Sequence, residues 1–262
     1  MLNVATLASG SSGNCAVISD GRIHILMDAG IPAKRITTAL KALGIEPKQI
    51  AAILITHEHS DHISGLPVLC KHLSADLYTT EPTARQICRR SAGLEERFQV
   101  FRPGERFAIG DLTVGTFAVS HDCACPVGYS VSDGLRKLTL CTDTGLLTQG
   151  ALKNVRSADT LIGEFNYDLD MLRAGPYPAC LKKRILSGQG HLSNEMGGEL
   201  ASCAVSQGAH RVILAHLSKD NNSPEKAMAA AQRAMAGIGA RVGTDVELLA
   251  APRNQSSGWL EV

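Results

Sequence analysis

The sequence predicts an α/β fold in which sheets are covered by helices, and three observations carry that prediction. Short β-type runs dominate the chain, longer amphipathic stretches separate some of them, and hairpin spacings occur beside β-to-α crossovers. The strand ends also repeat. "ILMDAG" (25–30) resembles "TLCTDTG" (139–145), and "ILITH" (53–57) resembles "VILAH" (212–216). Two half-domains would then each bring an Asp-Gly turn and a histidine to the same edge.

The elements follow in order. "NVATLA" (3–8), "CAVIS" (15–19) and "IHILMD" (23–28) have the length and apolar content of strands, and "AKRITTALKALG" (33–44) reads as a helix. "IAAILIT" (50–56) is an apolar run suited to a buried strand, followed by a helix over 64–73, a strand over 75–80 and a helix over 81–93. Strands are expected at 111–120, 127–132, 137–143 and 159–164, then a helix at 193–208 and a strand at 211–216. The helix at 223–237 opens with Ser-Pro-Glu, a cap with proline at the first helical position. Strands at 245–250 and 258–262 close the chain. No low-complexity tract or Pro/Ser-rich linker divides it, so residues 1–262 are expected to form a single domain.

Composition narrows the function classes. Twenty-six basic residues against 25 acidic ones give a net charge of +1. This bulk charge predicts neither nucleic-acid binding nor attraction to anionic membranes. "RQICRR" (85–90) and "LKKRI" (181–185) are local basic patches, most simply solvated helix faces. Eight scattered cysteines without a Cys-x-x-Cys pair are expected to be reduced thiols. Cys123 and Cys125 adjoin His121 and Asp122, but the second pair of a zinc finger is missing. The N-terminus does not read as a signal peptide, and no apolar run approaches the roughly 20 residues that span a bilayer. A cytoplasmic location is expected.

"THEHSDH" (56–62) follows the buried run directly. His57 and His59 alternate, so an extended segment projects both imidazoles to one side, where they can grip one cation. Asp61 and His62 come after the turn and can serve a second position. So many ligand-type side chains in one turn would carry heavy desolvation and repulsion without a cation. Glu58 points away from the histidines, towards an ion pair or a supporting role. His121, Asp143 and His216 stand at later strand ends. They complete two sets, His57/His59/His121 and Asp61/His62/His216, with Asp143 able to bridge them. "SGQGHLSNE" (187–195) sets His191 and Ser193 just before a helix whose free N–H groups suit a phosphate oxygen, and "GSSGN" (10–14), an ordinary turn or a small-residue loop, is able to bring Ser12 and Asn14 near a substrate. "GEFNYD" (163–168) supplies Glu164, Asn166 and Asp168, expected to support rather than ligate.

The pattern His-x-His-x-Asp-His, with His, Asp and His at later strand ends, resembles the metallo-β-lactamase superfamily. "ASGSSGNC", "HDCACPVGY", "EFNYDLDML", "YPACLKKRILSGQGHLSNE" and "LAHLSKDNNSPE" resemble its YycJ/WalJ-type branch. The resemblance spans the chain and implies an αββα four-layer sandwich with two pseudo-symmetric halves. It also implies phosphodiester chemistry on DNA, of the 5′-to-3′ exonuclease kind. Asp143 rather than a thiolate favours two divalent ions of hard to borderline character, zinc, manganese or iron. The expected reaction is attack of a metal-activated water on phosphorus, with Asp61 and Asp143 holding the centre and His191 steadying the phosphate or protonating the leaving group. The sequence leaves no room between Asp143 and His216 for a large inserted domain, so DNA must be held by the core's own loops or by a partner copy. A small-molecule hydrolase acting on a cyclic phosphodiester, thioester or lactone shares the same metals and stays open as the alternative.

Overall fold

The computed structural model describes residues 1–262. The N-terminal half runs β1 (Asn3–Ala8), β2 (Cys15–Ser19), β3 (His24–Met27), α1 (Ala33–Ala42), β4 (Ile50–Leu54), α2 (Ser60–Ile63), α3 (Leu66–Leu69), β5 (Asp76–Thr80), α4 (Glu81–Arg90) and β6 (Phe98–Phe101). Then come β7 (Arg106–Ile109), β8 (Leu112–Ala118), β9 (Val127–Ser132), β10 (Lys137–Cys141), α5 (Gln149–Val155), β11 (Thr160–Glu164), α6 (Leu169–Ala174) and α7 (Ala179–Ile185). The chain ends through α8 (Asn194–Val205), β12 (Arg211–Ala215), α9 (Pro224–Gly237), β13 (Glu247–Ala250) and β14 (Leu260–Glu261).

The strands form two seven-stranded sheets, ordered β14-β1-β2-β3-β4-β5-β6 and β13-β12-β11-β10-β9-β8-β7. Side chains alternate across each strand, and the central strands are buried on both faces. In β3, Ile25 and Met27 enter the core between the sheets, where they meet Val114, Tyr129 and Ile213. Leu26 points the other way, to a core shared with Ile36 and Leu40 of α1 and Ile87 of α4. In β12, Ile213 faces the central core, while Val212 and Leu214 face Leu200, Ala204 and Ala231 of α8 and α9. Three apolar cores stacked in this way make four layers, helix, sheet, sheet, helix. Most of the helices are short, so burial of their apolar faces rather than intrinsic propensity holds them.

The halves are related strand by strand. Both sheets pair antiparallel from one edge to β3 or β10, and parallel from there to the other edge. β3 therefore corresponds to β10, and the Asp28 and Asp143 turns are equivalent, as the repeat predicts. The second string match is not an equivalence: β4, which precedes His57, corresponds to β11, whose last residue is Glu164. β12, which precedes His216, corresponds to β5.

β6 and β7 and the helices α2, α5, α6 and α7 go beyond the elements expected from sequence, and the helix expected over 64–73 shortens to α3 with a turn after it. All eight cysteines are free. No helix is long and apolar enough to cross a membrane.

Candidate metal centre

The cleft is built where loops leave the ends of β3, β4, β10, β11 and β12. After β4 the chain stays extended to His59, whose φ of −67° and ψ of 149° set it at the head of α2. This puts the His57 and His59 rings side by side, with Nε2 and Nδ1 3.1 Å apart. The first turn of α2 then presents Asp61 and His62. Gly30 permits the arrangement, because a Cβ there would lie 1.6 Å from the Asp61 carbonyl oxygen. Backbone bonds from Asn14 N to Asp61 O and from Ala29 N to His62 O tie the neighbouring loops to α2.

From the second half, His121 Nε2 comes within 3.2 Å of His59 Nδ1. His216 Nε2 stands 3.5 Å from Asp61 Oδ2 and 3.4 Å from Asp143 Oδ1. His62 Nε2 is 3.6 Å from Asp61 Oδ2 and 3.4 Å from Asp143 Oδ2. The two expected sets are thus together, and Asp143 lies between them, also 3.9 Å from His121 Nε2. Donors around a tetrahedral ion bound at about 2.0–2.1 Å stand roughly 3.3 Å apart, and these separations fit. Asp143 Oδ2 and His216 Nε2 are buried without a hydrogen-bond partner, which is costly unless a ligand is supplied. Asp143, His216 and Asp28 have φ of 55°, 57° and 59°, the residues other than glycine with left-handed backbone. Such conformations concentrate at functional sites.

Supporting contacts fix the rings. Asp28, absent from the expected site although the Asp-x-Gly repeat marks its turn, accepts from Thr56 N at 2.9 Å and lies 2.7 Å from His62 Nδ1. That turns His62 Nε2 towards the cleft, where the Asn14 amide also approaches it. Glu164 plays the same part in the other half: Oε1 lies 2.7 Å from His191 Nδ1 and 3.1 Å from His216 Nδ1. Its Oε2 accepts from Thr144 N and Leu192 N. Asn166 Nδ2 donates to His216 O, whereas Asp168 caps α6 and does not reach the centre. Glu58 is buried and forms no ion pair; it accepts from Ala124 N at 2.8 Å and braces the loop that carries His121.

The field in the cleft is divided. Burial and the surrounding His62, His121, His59 and His216 hold the His57 imidazole well below its usual range, with its lone pair available. Burial opposes charge on His62 too, but Asp143, Asp28 and Asp61 outweigh it and raise the ring to about 9. His216 is raised by Asp143, Asp61 and Glu164 against the same burial. Burial disfavours the Glu164 carboxylate, yet His191 and His216 hold it well below the carboxylate range.

The substrate-side expectations divide. Asn14 Nδ2 reaches to 3.1 Å from His62 Nε2, and Ser12 is exposed on the adjoining loop. The half-buried His191 comes within 3.7 Å of Asp143 Oδ1. Ser193 is corrected: it is buried and its Oγ accepts from Met196 N as the cap of α8, while Asn194 N donates to Tyr167 O. The Asn194 and Met196 N–H groups at the start of α8 are thus already taken, by Tyr167 O and Ser193 Oγ. Cys123 and Cys125 take no part in the donor sets.

A four-layer αββα sandwich with histidine and carboxylate donors gathered at one edge of its two sheets defines a metallohydrolase architecture. The chain belongs to the β-lactamase superfamily: the profile of the Beta-lactamase superfamily domain matches residues 24–217. It is 38% identical over 246 residues to "Exodeoxyribonuclease WalJ" of Streptococcus pneumoniae, covering 92% of this chain and 91% of that one. It is 35% identical over 249 residues to "Exodeoxyribonuclease YycJ" of Bacillus anthracis, covering 94% of both. Among solved structures, the metallo-β-lactamase fold protein YhfI of Bacillus subtilis superposes with a TM-score of 0.76 at 17% identity. That match covers 98% of this chain and 99% of the other, and shows the shared fold.

Proposed function

We propose that residues 1–262 act as one unit, a DNA exonuclease of 5′-to-3′ polarity using two divalent cations, zinc, manganese or iron. The observation that carries the two-cation reading is Asp143, buried between two donor sets with one oxygen unpartnered. The likeness to two exodeoxyribonucleases over more than nine-tenths of each chain supports DNA as the substrate.

His57, His59 and His121 would hold one ion and Asp61, His62 and His216 the other, with Asp143 shared. When bound, such a pair supplies Lewis acidity and an activated water nucleophile at neutral pH. The chain's own residues do the rest. Asp28 and Glu164 engage the Nδ1 atoms of His62 and His216, so both rings present Nε2 without searching rotamers. Because Nδ1 of His191 faces Glu164, its Nε2 is the ring atom free to steady a phosphate oxygen or pass a proton to the departing oxygen. Ser12 and Asn14 border the cleft on the substrate side.

The test measures metal content, then nucleotide release from end-labelled single- and double-stranded DNA beside a thioester and a lactone. Mn- or Zn-stimulated release from 5′ ends is the expected result. Fast thioester or lactone cleavage without nucleotide release would overturn the reading in favour of a small-molecule hydrolase.

A further inference from the structure

Arg184, at the end of α7, lies outside every role assigned above, yet it stands at the mouth of the cleft. Its Nε and Nη2 both donate to the Asp122 carboxylate, the second at 2.9 Å to Oδ1. Asp122 directly follows His121, and the same Oδ1 lies 3.6 Å from His121 Nε2 and 3.9 Å from His59 Nε2. The guanidinium is therefore one carboxylate removed from the first donor set. Asp61, in the second donor set, is also near enough to stabilise its charge.

The pair makes little sense as a structural fastening. The Arg184 side chain is 51% exposed and that of Asp122 29%, and ion pairs so open to solvent add little to stability. The position matters more. The cleft holds Asp28, Asp61, Asp122, Asp143 and Glu164, and the chain as a whole carries only +1. The two proposed cations would serve the phosphate at the reacting centre, but bulk charge gives the strand beyond them no help, so a cation at the cleft mouth has a use of its own. Arg184 has the planar fork that grips a carboxylate and a phosphate in the same two-pronged way. Lys183 is exposed beside it on α7. The loop after α7 leads to His191 and is tied to the centre, with Gly190 O 3.0 Å from His121 Nδ1.

We infer that Arg184 is a substrate-binding residue that grips a backbone phosphate of the DNA strand. Asp122 holds it in position at the cleft mouth until the strand arrives. The phosphate replaces Asp122 as the partner of the guanidinium; no covalent bond changes. This inference rests on the nuclease reading and names the group that recognises its polyanionic substrate. It also explains how a chain of near-neutral charge can hold DNA with its own loops.

The test uses a fluorescent single-stranded oligonucleotide with a phosphorothioate backbone, and reads binding to the full-length metal-loaded protein by anisotropy across a salt series. Arg184→Ala is expected to weaken binding about tenfold and to reduce the slope of log K against log salt by roughly 0.7, the share of one phosphate contact on a single strand. Arg184→Lys keeps part of the affinity. Asp122→Asn, which frees the guanidinium, binds as tightly as wild type or more so. If Arg184→Ala binds like wild type, or if both variants weaken binding equally with the same loss of metal, Arg184 is only a brace and the proposal falls. The nuclease reading fails by a different result: wild type that releases no nucleotide from ordinary DNA.

Discussion

Glu164 shows how much of this site is decided by single side chains. It has no exposed surface, yet its two oxygens serve two histidines and two backbone N–H groups. Glu164→Gln keeps the volume but turns an amide NH₂ towards a donor. The loss is expected at about 1.5–3 kcal/mol of stability, the value of hydrogen bonds to a buried charge. Metal affinity should fall about 10–100-fold, as when other supporting partners of metal ligands are removed; a denaturant titration and metal content after dialysis read the two effects. Asp143→Asn asks a different question. Asparagine tolerates the left-handed backbone at φ 55°, so far-UV circular dichroism should be unchanged. Turnover should drop by orders of magnitude, and full activity in that variant would remove Asp143 from the mechanism. The donors themselves could be read from "THEHSDH" and the strand-end residues, because ligand types stand out at fixed spacing. The role of Asp28 could not, nor could the pairing of Glu164 with His191 and His216, since both depend on which loops meet. Ser193 misled for the opposite reason: the signature of a helix cap is also the signature of an anion site, and only burial tells them apart.

At the level of elements, the cleft depends on how closely loops approach. α2 can sit over the turn after β3 only because residue 30 lacks a side chain. Gly30→Ala would drive a methyl group into the Asp61 carbonyl and is expected to cost about 3 kcal/mol, at the upper end for overpacking. Gly237→Ala, at the open end of α9 with nothing near its Cβ position, should be neutral or stabilising by up to about 1 kcal/mol. Thermal melts of the two variants make the comparison, and equal behaviour would show that the close approach at Gly30 is not a constraint. The buried strands β4 and β12 were legible because each is a nearly uninterrupted apolar run. β6 and β7 were not, since charged residues crowd both short runs: Arg97 and Arg102 flank the first, and Glu105 and Arg106 open the second. α5, α6 and α7 have seven, six and seven residues, too short for a helical period to establish itself in the pattern.

For the whole molecule, the relation between the halves explains why the repeat in the sequence is only half true. The turns after the equivalent strands β3 and β10 each carry an aspartate, Asp28 and Asp143, but one supports a histidine and the other sits between donors. β4 leads into the histidine motif, whereas its counterpart β11 ends on Glu164. The two halves share a frame and divide the chemistry, so string similarity finds the frame at Asp28 and Asp143 and misplaces His216. Removal of metal offers a test at this scale. Protein stripped with a chelator should melt at a lower temperature, and Mn or Zn should restore it. Each occupied site adds about 2.7 kcal/mol at a free metal concentration 100 times its dissociation constant. A melting temperature indifferent to metal would argue that the donors do not bind it.

The span of the donor sets has a mechanical consequence. Residues 57–62 come from one half of the chain, and residues 121, 143 and 216 from the other. An ion gripped by both would work as a removable rivet through the seam between the two sheets, closing long loops much as a disulfide does. Slippage between the halves would then be opposed most strongly where the reacting atoms must be held, and the catalyst would double as a fastener.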